Sequence, residues 1–286
     1  MVTTSDPWAS WLIPRHHVDD VSLLPTRDRV LDNAGVSAGE TVLDLGCGDG
    51  LIAFGALERV GTEGRVIFCD ASQELLDVCR ARATQIGALD VCSFVRASAV
   101  DLSPIPDASV DVLTTRAVLL YVENKQRAFN EIYRVLKPGG RLSSNERINS
   151  FGYPEAPDRF WGYDVSPVRD IADKLKAYYD RVQPPDTNPM LTFDERDLVV
   201  LAKRAGFEEI HLDLRVDIAP IPPGDWDSLV SAPQPPPFPL TTLEGAMREA
   251  LESDERLEFQ AHLRSAVEAG NGTTYKAVAW LWATKS

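Results

Sequence analysis

Three glycines at alternate positions, Gly46, Gly48 and Gly50, follow an apolar run, Thr41-Val42-Leu43, and the acid Asp44. A helix-patterned stretch from Leu51 to Val60 begins at once after them. A strand that empties through glycines into a helix brings bare backbone amides against a ligand, as nucleotide-binding turns do. The spacing excludes the dinucleotide fingerprint G-x-G-x-x-G, because its third glycine, counted from Gly46, would fall on Leu51. Arg65 to Cys69 reads as a second buried strand ending in Asp70. An acid there can accept hydrogen bonds from both hydroxyls of a ribose. It can equally cap the helix opened by Ala71 and Ser72.

A second set of polar side chains stands where later strands end. Arg116 and Tyr121 follow an apolar strand that starts at Val110, and Glu146 and Arg147 follow another that starts near Leu142. Ligands of open α/β sheets bind outside the carboxyl ends of the strands, so these residues are candidates to meet a substrate. Glu146 and Arg147 are adjacent in a strand, so only one of them faces the cleft. Arg116 serves either the cleft or a scaffold ion pair. His16 and His17 come from an N-terminal stretch with Trp8 and Trp11, as a surface loop or as chemical groups. Tyr153, Trp161 and Tyr163 form an aromatic cluster that suits either a buried core or a substrate platform.

The order acid, G-x-G-x-G, second-strand acid and the later turn Leu136-Lys137-Pro138-Gly139-Gly140 resembles the class I methyltransferases that use S-adenosylmethionine. The resemblance covers residues 40 to 148 well and the rest poorly. It implies a doubly wound, mostly parallel seven-stranded α/β sheet with an antiparallel last strand and helical cap elements, a Rossmann-like transferase. It implies a cofactor site made of Asp44, Gly46, Cys47, Gly48, Gly50, Asp70, Ala71 and Arg116, with Ser98 and Ala99 at the adenine. Ser98 stands where many members carry an acid, and Asp101 matches a loop acid that is otherwise a turn former. On the acceptor side, position at the carboxyl ends of the strands and in the N-terminal flap offers Glu146, His17, Arg116 and Tyr121 as catalytic candidates. His16, Arg147, Tyr153 and Trp161 are then substrate contacts. Methyl transfer is an in-line displacement, so the protein must align the acceptor, exclude water and remove a proton only where the acceptor carries one. The expected reaction is O-methylation of a carboxylate or hydroxyl on a small or peptidic acceptor of specialised metabolism. N- or C-methylation, or binding without turnover, is the alternative.

Composition limits the partners. The chain has 286 residues, of which 44% are hydrophobic and 25% charged, and a formal net charge of −14. That charge disfavours duplex nucleic acid, whose phosphates need a basic surface. No apolar run is long enough for a membrane span, and the first fourteen residues lack the pattern of a secretory signal. Four cysteines, Cys47, Cys69, Cys79 and Cys92, lack C-x-x-C spacing and read as reduced residues of a cytoplasmic protein, with no metal site. Their absence from the acceptor side argues against an arsenite-methylating enzyme.

The expected organisation is a helical flap over 1–35, the cofactor-binding core over 36–150 and a cap over 151–205. The last two core strands then span 206–286, with a proline-rich and helical insertion at 220–272. Within it, Ala219 to Pro239 reads as a loop and Leu243 to Ala269 as a helix. Asp70→Ala should weaken S-adenosylmethionine binding by about one to two decades, since a charged hydrogen bond contributes ~1.5–3 kcal/mol. Calorimetry that finds unchanged affinity in a folded variant would remove Asp70 from the site.

Overall fold

Val42, Leu43 and Leu45 are shielded from solvent, as a continuous apolar run requires of a strand inside a parallel sheet. The computed structural model describes residues 6–233 and 242–286. In chain order the first elements are α1 (Pro7–Leu12), α2 (Leu24–Asn33), β1 (Thr41–Leu45), α3 (Leu51–Val60) and β2 (Arg65–Asp70). They are followed by α4 (Gln73–Gln85), β3 (Cys92–Arg96), β4 (Val110–Arg116), α5 (Lys125–Val135) and β5 (Leu136–Arg147). Next come β6 (Arg159–Phe160), β7 (Tyr163–Asp164), α6 (Arg169–Val182), α7 (Glu195–Ala205) and β8 (Glu209–Ile221). The chain continues through α8 (Trp226–Ser231), α9 (Leu243–Ala250), α10 (Ser253–Ala269) and β9 (Gly272–Thr284).

These elements divide into two units. The first runs to Arg147 and adds Glu195–Leu214 and Val278–Ser286. Its sheet has the order β3-β2-β1-β4-β5-β9, with β8 also paired to β9. Strands β1 to β5 are mutually parallel and β9 is antiparallel to β5. This is the expected doubly wound arrangement. Apolar residues of α2, α3 and the strands fill one core, in which the ring of Phe68 lies 5.0 Å from Phe54 and 5.0 Å from Phe94. Helix α5 buries the stripe Ala128, Phe129, Ile132 and Val135 that its period predicts.

The sheet differs from the sequence reading at Lys137-Pro138-Gly139-Gly140. Strand β5 begins before this stretch, at Leu136 opposite Val110, and resumes at Arg141 opposite Val112. The stretch is therefore a bulge within a strand rather than a turn before one. Gly139 takes φ +75°, and its N–H donates to the Lys285 carbonyl at 2.7 Å.

The second unit comprises Ile148–Asp194 and Arg215–Ala277. Its core joins Phe160, Tyr163, Leu175 and Tyr178 to Met247, Phe259 and Leu263. Helix α7, expected in the cap, belongs to the first unit, where it packs on α5. The expected single helix from Leu243 to Ala269 is two, α9 and α10, divided at Leu251-Glu252. The divide has a local cause, a capping box in which Glu252 and Glu255 each accept the other's backbone N–H. The expected proline-rich loop holds helix α8, capped by Asp225, whose carboxylate accepts from the Ser228 N–H at 2.7 Å. Residues 234–239 of that loop lie outside the described residues. Among the described residues no helix is long and apolar enough to cross a membrane. All four cysteines are free.

Candidate active site

The glycine turn owes its shape to left-handed backbone. Gly46, Gly48 and Gly50 take φ of +67°, +56° and +98°. A side chain at Gly46 would run into Val118, and one at Gly48 would meet Leu12 Cδ2 at 2.6 Å. The glycines thus admit neighbouring side chains of the same unit. Their amides are not left bare, as the sequence suggested. The N–H groups of Gly46 and Cys47 both donate to the Cys69 carbonyl, at 2.7 and 3.0 Å, and Gly50 donates to Cys47 at 2.9 Å. A parallel sheet that ends two strands at one level pulls the turn onto the next strand, and the amides are consumed there.

Asp70 is the polar group that the turn is built around. Its Oδ2 accepts from the Gly48 N–H at 2.9 Å and its Oδ1 from the Ser72 N–H at 2.9 Å. The cap of α4 is Ser72, whose Oγ accepts from Leu75 N–H at 3.2 Å, so Asp70 is not spent on capping. Burial pushes its carboxyl above the usual carboxylate range, against the pull of those amide bonds. A carboxylate has about four acceptor positions, so capacity for ribose hydroxyls remains. An adenosyl group therefore fits here by donor and acceptor chemistry.

The other cofactor candidates divide. Asp44 is 2% exposed and both its oxygens are taken, by the Ala53 N–H and the Thr114 hydroxyl, each at 3.0 Å. It ties β1 to α3 and β4, and burial pushes it up to about 7. This is a scaffold role. Cys47 is buried, with its thiol pushed up by burial. At the end of β3, Ser98 is exposed and Ala99 buried, while the Ser98 carbonyl accepts from Asp101 N–H. Ala71 is exposed, and its carbonyl accepts from Arg96.

Glu146 requires correction. The sequence offered it as a catalytic group facing the cleft, yet it is fully buried. Its Oε1 accepts from the N–H groups of Val118 and Leu119, at 3.2 and 3.1 Å, and its Oε2 from Leu120 at 3.2 Å. It holds the 3-10 turn Leu119–Tyr121 that follows β4, and so positions Val118 against Gly46. Strand alternation is the reason: the neighbour Asn145, in register with Arg116, takes the face of the sheet that Arg116 shares. The sequence reading passed over Asn145, although the same alternation would have found it. Arg147 is exposed, and its charge acts on Tyr121.

The charge of Arg116 acts on both His17 and Tyr121. The Val18 N–H donates to Asp49 Oδ2 at 3.0 Å, which fixes the N-terminal segment on the glycine turn. Burial, then the charge of Arg116, lowers His17 from its ordinary value, so its imidazole is neutral at pH 7. Burial also lowers Arg116, against the opposing charges of Asp49, Glu146 and Asp44. Tyr121 is pushed up to about 12 by burial and Glu146, and its ring meets Trp8 edge-on at 4.9 Å. His16 does not join them. It is exposed, in a left-handed turn with φ +46°. Tyr153 and Trp161, expected at the substrate, serve the second unit instead: Tyr153 is 40% exposed and donates to Asp180, and Trp161 stacks on Phe160 at 5.1 Å. Among the described residues no group of three or more His, Cys, Asp or Glu could hold a metal ion.

Burial raises both Glu146 and Asp44 to about 7, above the values of an unfolded chain. The folded state then holds protons that the unfolded state releases, so their stabilising contribution is full at low pH. It is lost as pH rises through about 7. Thermal melts should therefore fall by several degrees from pH 5 to pH 8. Glu146→Gln should make that slope shallower while lowering stability by about 1–3 kcal/mol, because its amide turns a donor toward a backbone N–H. A variant as stable as the parent with the same pH slope would release Glu146 from this role.

Comparison with known proteins agrees with the geometry. A family described as methyltransferase domain matches residues 43–144. An arsenite methyltransferase of Halobacterium salinarum is 34% identical over 151 residues, covering 51% of this chain and 38% of that protein. The ubiquinone/menaquinone biosynthesis C-methyltransferase UbiE of Enterobacter sp. is 39% identical over 112 residues, covering 39% of this chain and 44% of its own. The chain thus spans less than half the length of these relatives. The crystal structure of the YcgJ protein from Bacillus subtilis superposes with a TM-score of 0.56 at 18% identity, covering 92% of this chain and 98% of that one, and shows the fold. The cofactor of this domain is S-adenosylmethionine. Residues 43–144 thus match a methyltransferase domain, the part of the chain that holds the glycine turn and Asp70.

Proposed function

We propose that this protein transfers the methyl group of S-adenosylmethionine to an oxygen, hydroxyl or carboxylate, of a small or peptidic acceptor in specialised metabolism. One observation supports the oxygen assignment: His17 is lowered from its ordinary value by burial and by the charge of Arg116, a half-buried cation that forms no ion pair among the described residues. When bound, the cofactor supplies an electrophilic methyl carbon on a sulfonium. Arg116 draws an anionic or acidic acceptor group to the end of β4. His17 takes the proton where the acceptor is a hydroxyl, and passes it to water afterwards; a carboxylate acceptor needs no such step. Trp8 and Tyr121 close over the site and exclude water, so that attack by the acceptor outruns hydrolysis.

The names of the two relatives point elsewhere, to arsenic and to carbon. Arsenic(III) is held by thiolates, and these thiols resist ionisation. Burial pushes Cys69 up to about 12 and Cys92 up to about 11, and all four cysteines belong to the cofactor half. C-methylation of a phenolic ring would use the same base and the same cation, which makes it the second reading.

Formation of S-adenosylhomocysteine should be followed across acids, phenols, alcohols, amines and carbon nucleophiles, and the product atom identified by mass spectrometry. Oxygen methylation is expected. His17→Ala should lower kcat on hydroxyl acceptors by about two to four decades with cofactor affinity retained, as for loss of a general base. The rate of the parent should level off below neutral pH, because His17 lies below its ordinary value. A product methylated at carbon or nitrogen would refute the oxygen assignment, and absence of cofactor binding would refute the whole reading.

A further inference from the structure

Asn145 on β5 is in register with Arg116 on β4 and with Trp280 on β9. Register partners on adjacent strands project to the same face of a sheet. A guanidinium, an amide and an indole N–H therefore stand side by side where β4 and β5 approach their carboxyl ends. All three present hydrogen-bond donors, and Arg116 and Trp280 have nothing else to offer. None finds an acceptor among the described residues. Asn145 Nδ2 and Trp280 Nε1 are buried there without a partner, and each residue is only 6% exposed. Arg116 forms no hydrogen bond or ion pair among the described residues, and the nearby carboxylates are engaged: Glu146 on three amides and Asp49 on Val18. Above the Trp280 ring lies the guanidinium of Arg29, 4.0 Å from its centroid, which is itself paired with Asp213.

Buried donors without acceptors are rare, and several adjacent ones call for a common partner. The position of these three selects the kind of partner. Strand β1 has β2 on one side and β4 on the other. The glycine turn and Asp70 occupy the β1–β2 side, which leaves β4, β5 and β9 to the methyl acceptor. A planar two-oxygen anion matches the set: two guanidinium N–H groups on its oxygens, with the amide and indole hydrogens on the remaining lone pairs.

We propose that Arg116, Asn145 and Trp280 form a carboxylate-recognition subsite, and that the methyl acceptor carries a carboxylate which docks there. This rests on the methyl-transfer reading of the same cleft and narrows its acceptor to a class. Asn145 and Trp280 are specificity residues in this assignment, and Arg116 supplies the charge.

The test uses the full chain loaded with S-adenosylhomocysteine and a panel of small molecules matched in hydrocarbon skeleton: carboxylic acids, their primary amides, alcohols and amines. Affinity selection with mass-spectrometric readout should retain acids over their own amides by about tenfold or more, the factor that one charge-assisted hydrogen bond supplies. Asn145→Leu should abolish most of that preference, leave S-adenosylhomocysteine affinity unchanged and raise Tm by roughly 2–4 °C, since it removes an unbonded buried amide. Trp280→Phe, which keeps the ring and loses the N–H, should also weaken the preference. Equal retention of amides or amines, no retention at all, or an undiminished preference in both variants would overturn the subsite. A lower Tm for Asn145→Leu would also overturn it, by showing that the amide holds a structural partner. Loss of S-adenosylhomocysteine binding by the parent chain would instead remove the methyl-transfer reading itself.

Discussion

Backbone amides bonded to buried carboxylates hold the cleft end of this sheet in shape. Asp70 joins the glycine turn to the start of α4 through Gly48 and Ser72, and Asp44 joins β1 to α3 and β4. Glu146 gathers the three amides of the turn after β4. Each strand ends by leaving N–H groups that have no sheet partner, and a short acid at the next strand is the nearest acceptor. Burial makes these acids costly to ionise, and their amide bonds offset part of that cost. The loops above the sheet are thereby set before any ligand arrives.

That arrangement changes what the glycines mean. Their role is conformational and steric: left-handed φ, and room for Val118 and Leu12. The amides of the turn are already engaged, on the Cys69 and Cys47 carbonyls and on Asp70. Two acids that look alike in the sequence differ in their partners and depth rather than in their bond count. Each accepts one hydrogen bond at each oxygen, Asp44 from Ala53 and Thr114 and Asp70 from Gly48 and Ser72, and Asp44 is 2% exposed against 8% for Asp70.

Charge is distributed unevenly between surface and cleft. The chain carries a formal charge of −14, and burial raises two of its carboxyls near the strand ends, Asp44 and Glu146, to about 7. Arg116 is left as a half-buried cation beside a neutral His17. A cation in that setting attracts an anionic oxygen more strongly than it would in water, because the surroundings screen it less. The N-terminal segment contributes here through Val18 on Asp49 and Trp8 on Tyr121, contacts between residues more than thirty apart in the chain.

The local part of this architecture was legible in the residues themselves. The run Val42 to Leu45, the glycines, Asp70 and the stripe of α5 announce a strand, a turn, a strand end and a helix, because each depends on neighbours within a few positions. The capping box at Glu252 was legible too, and was overlooked inside a long helical pattern. Tertiary structure alone decided which polar groups meet. Alternation says that Asn145 and Glu146 point to opposite faces, but only the pairing with β4 and β9 shows that Asn145 stands beside Arg116 and Trp280. Likewise His17 and His16 are adjacent, and one left-handed residue sends one inward and the other to solvent. Periodicity and spacing encode the elements, since those follow from short-range sterics; partnership between side chains distant in the chain follows from strand register, which no local pattern carries.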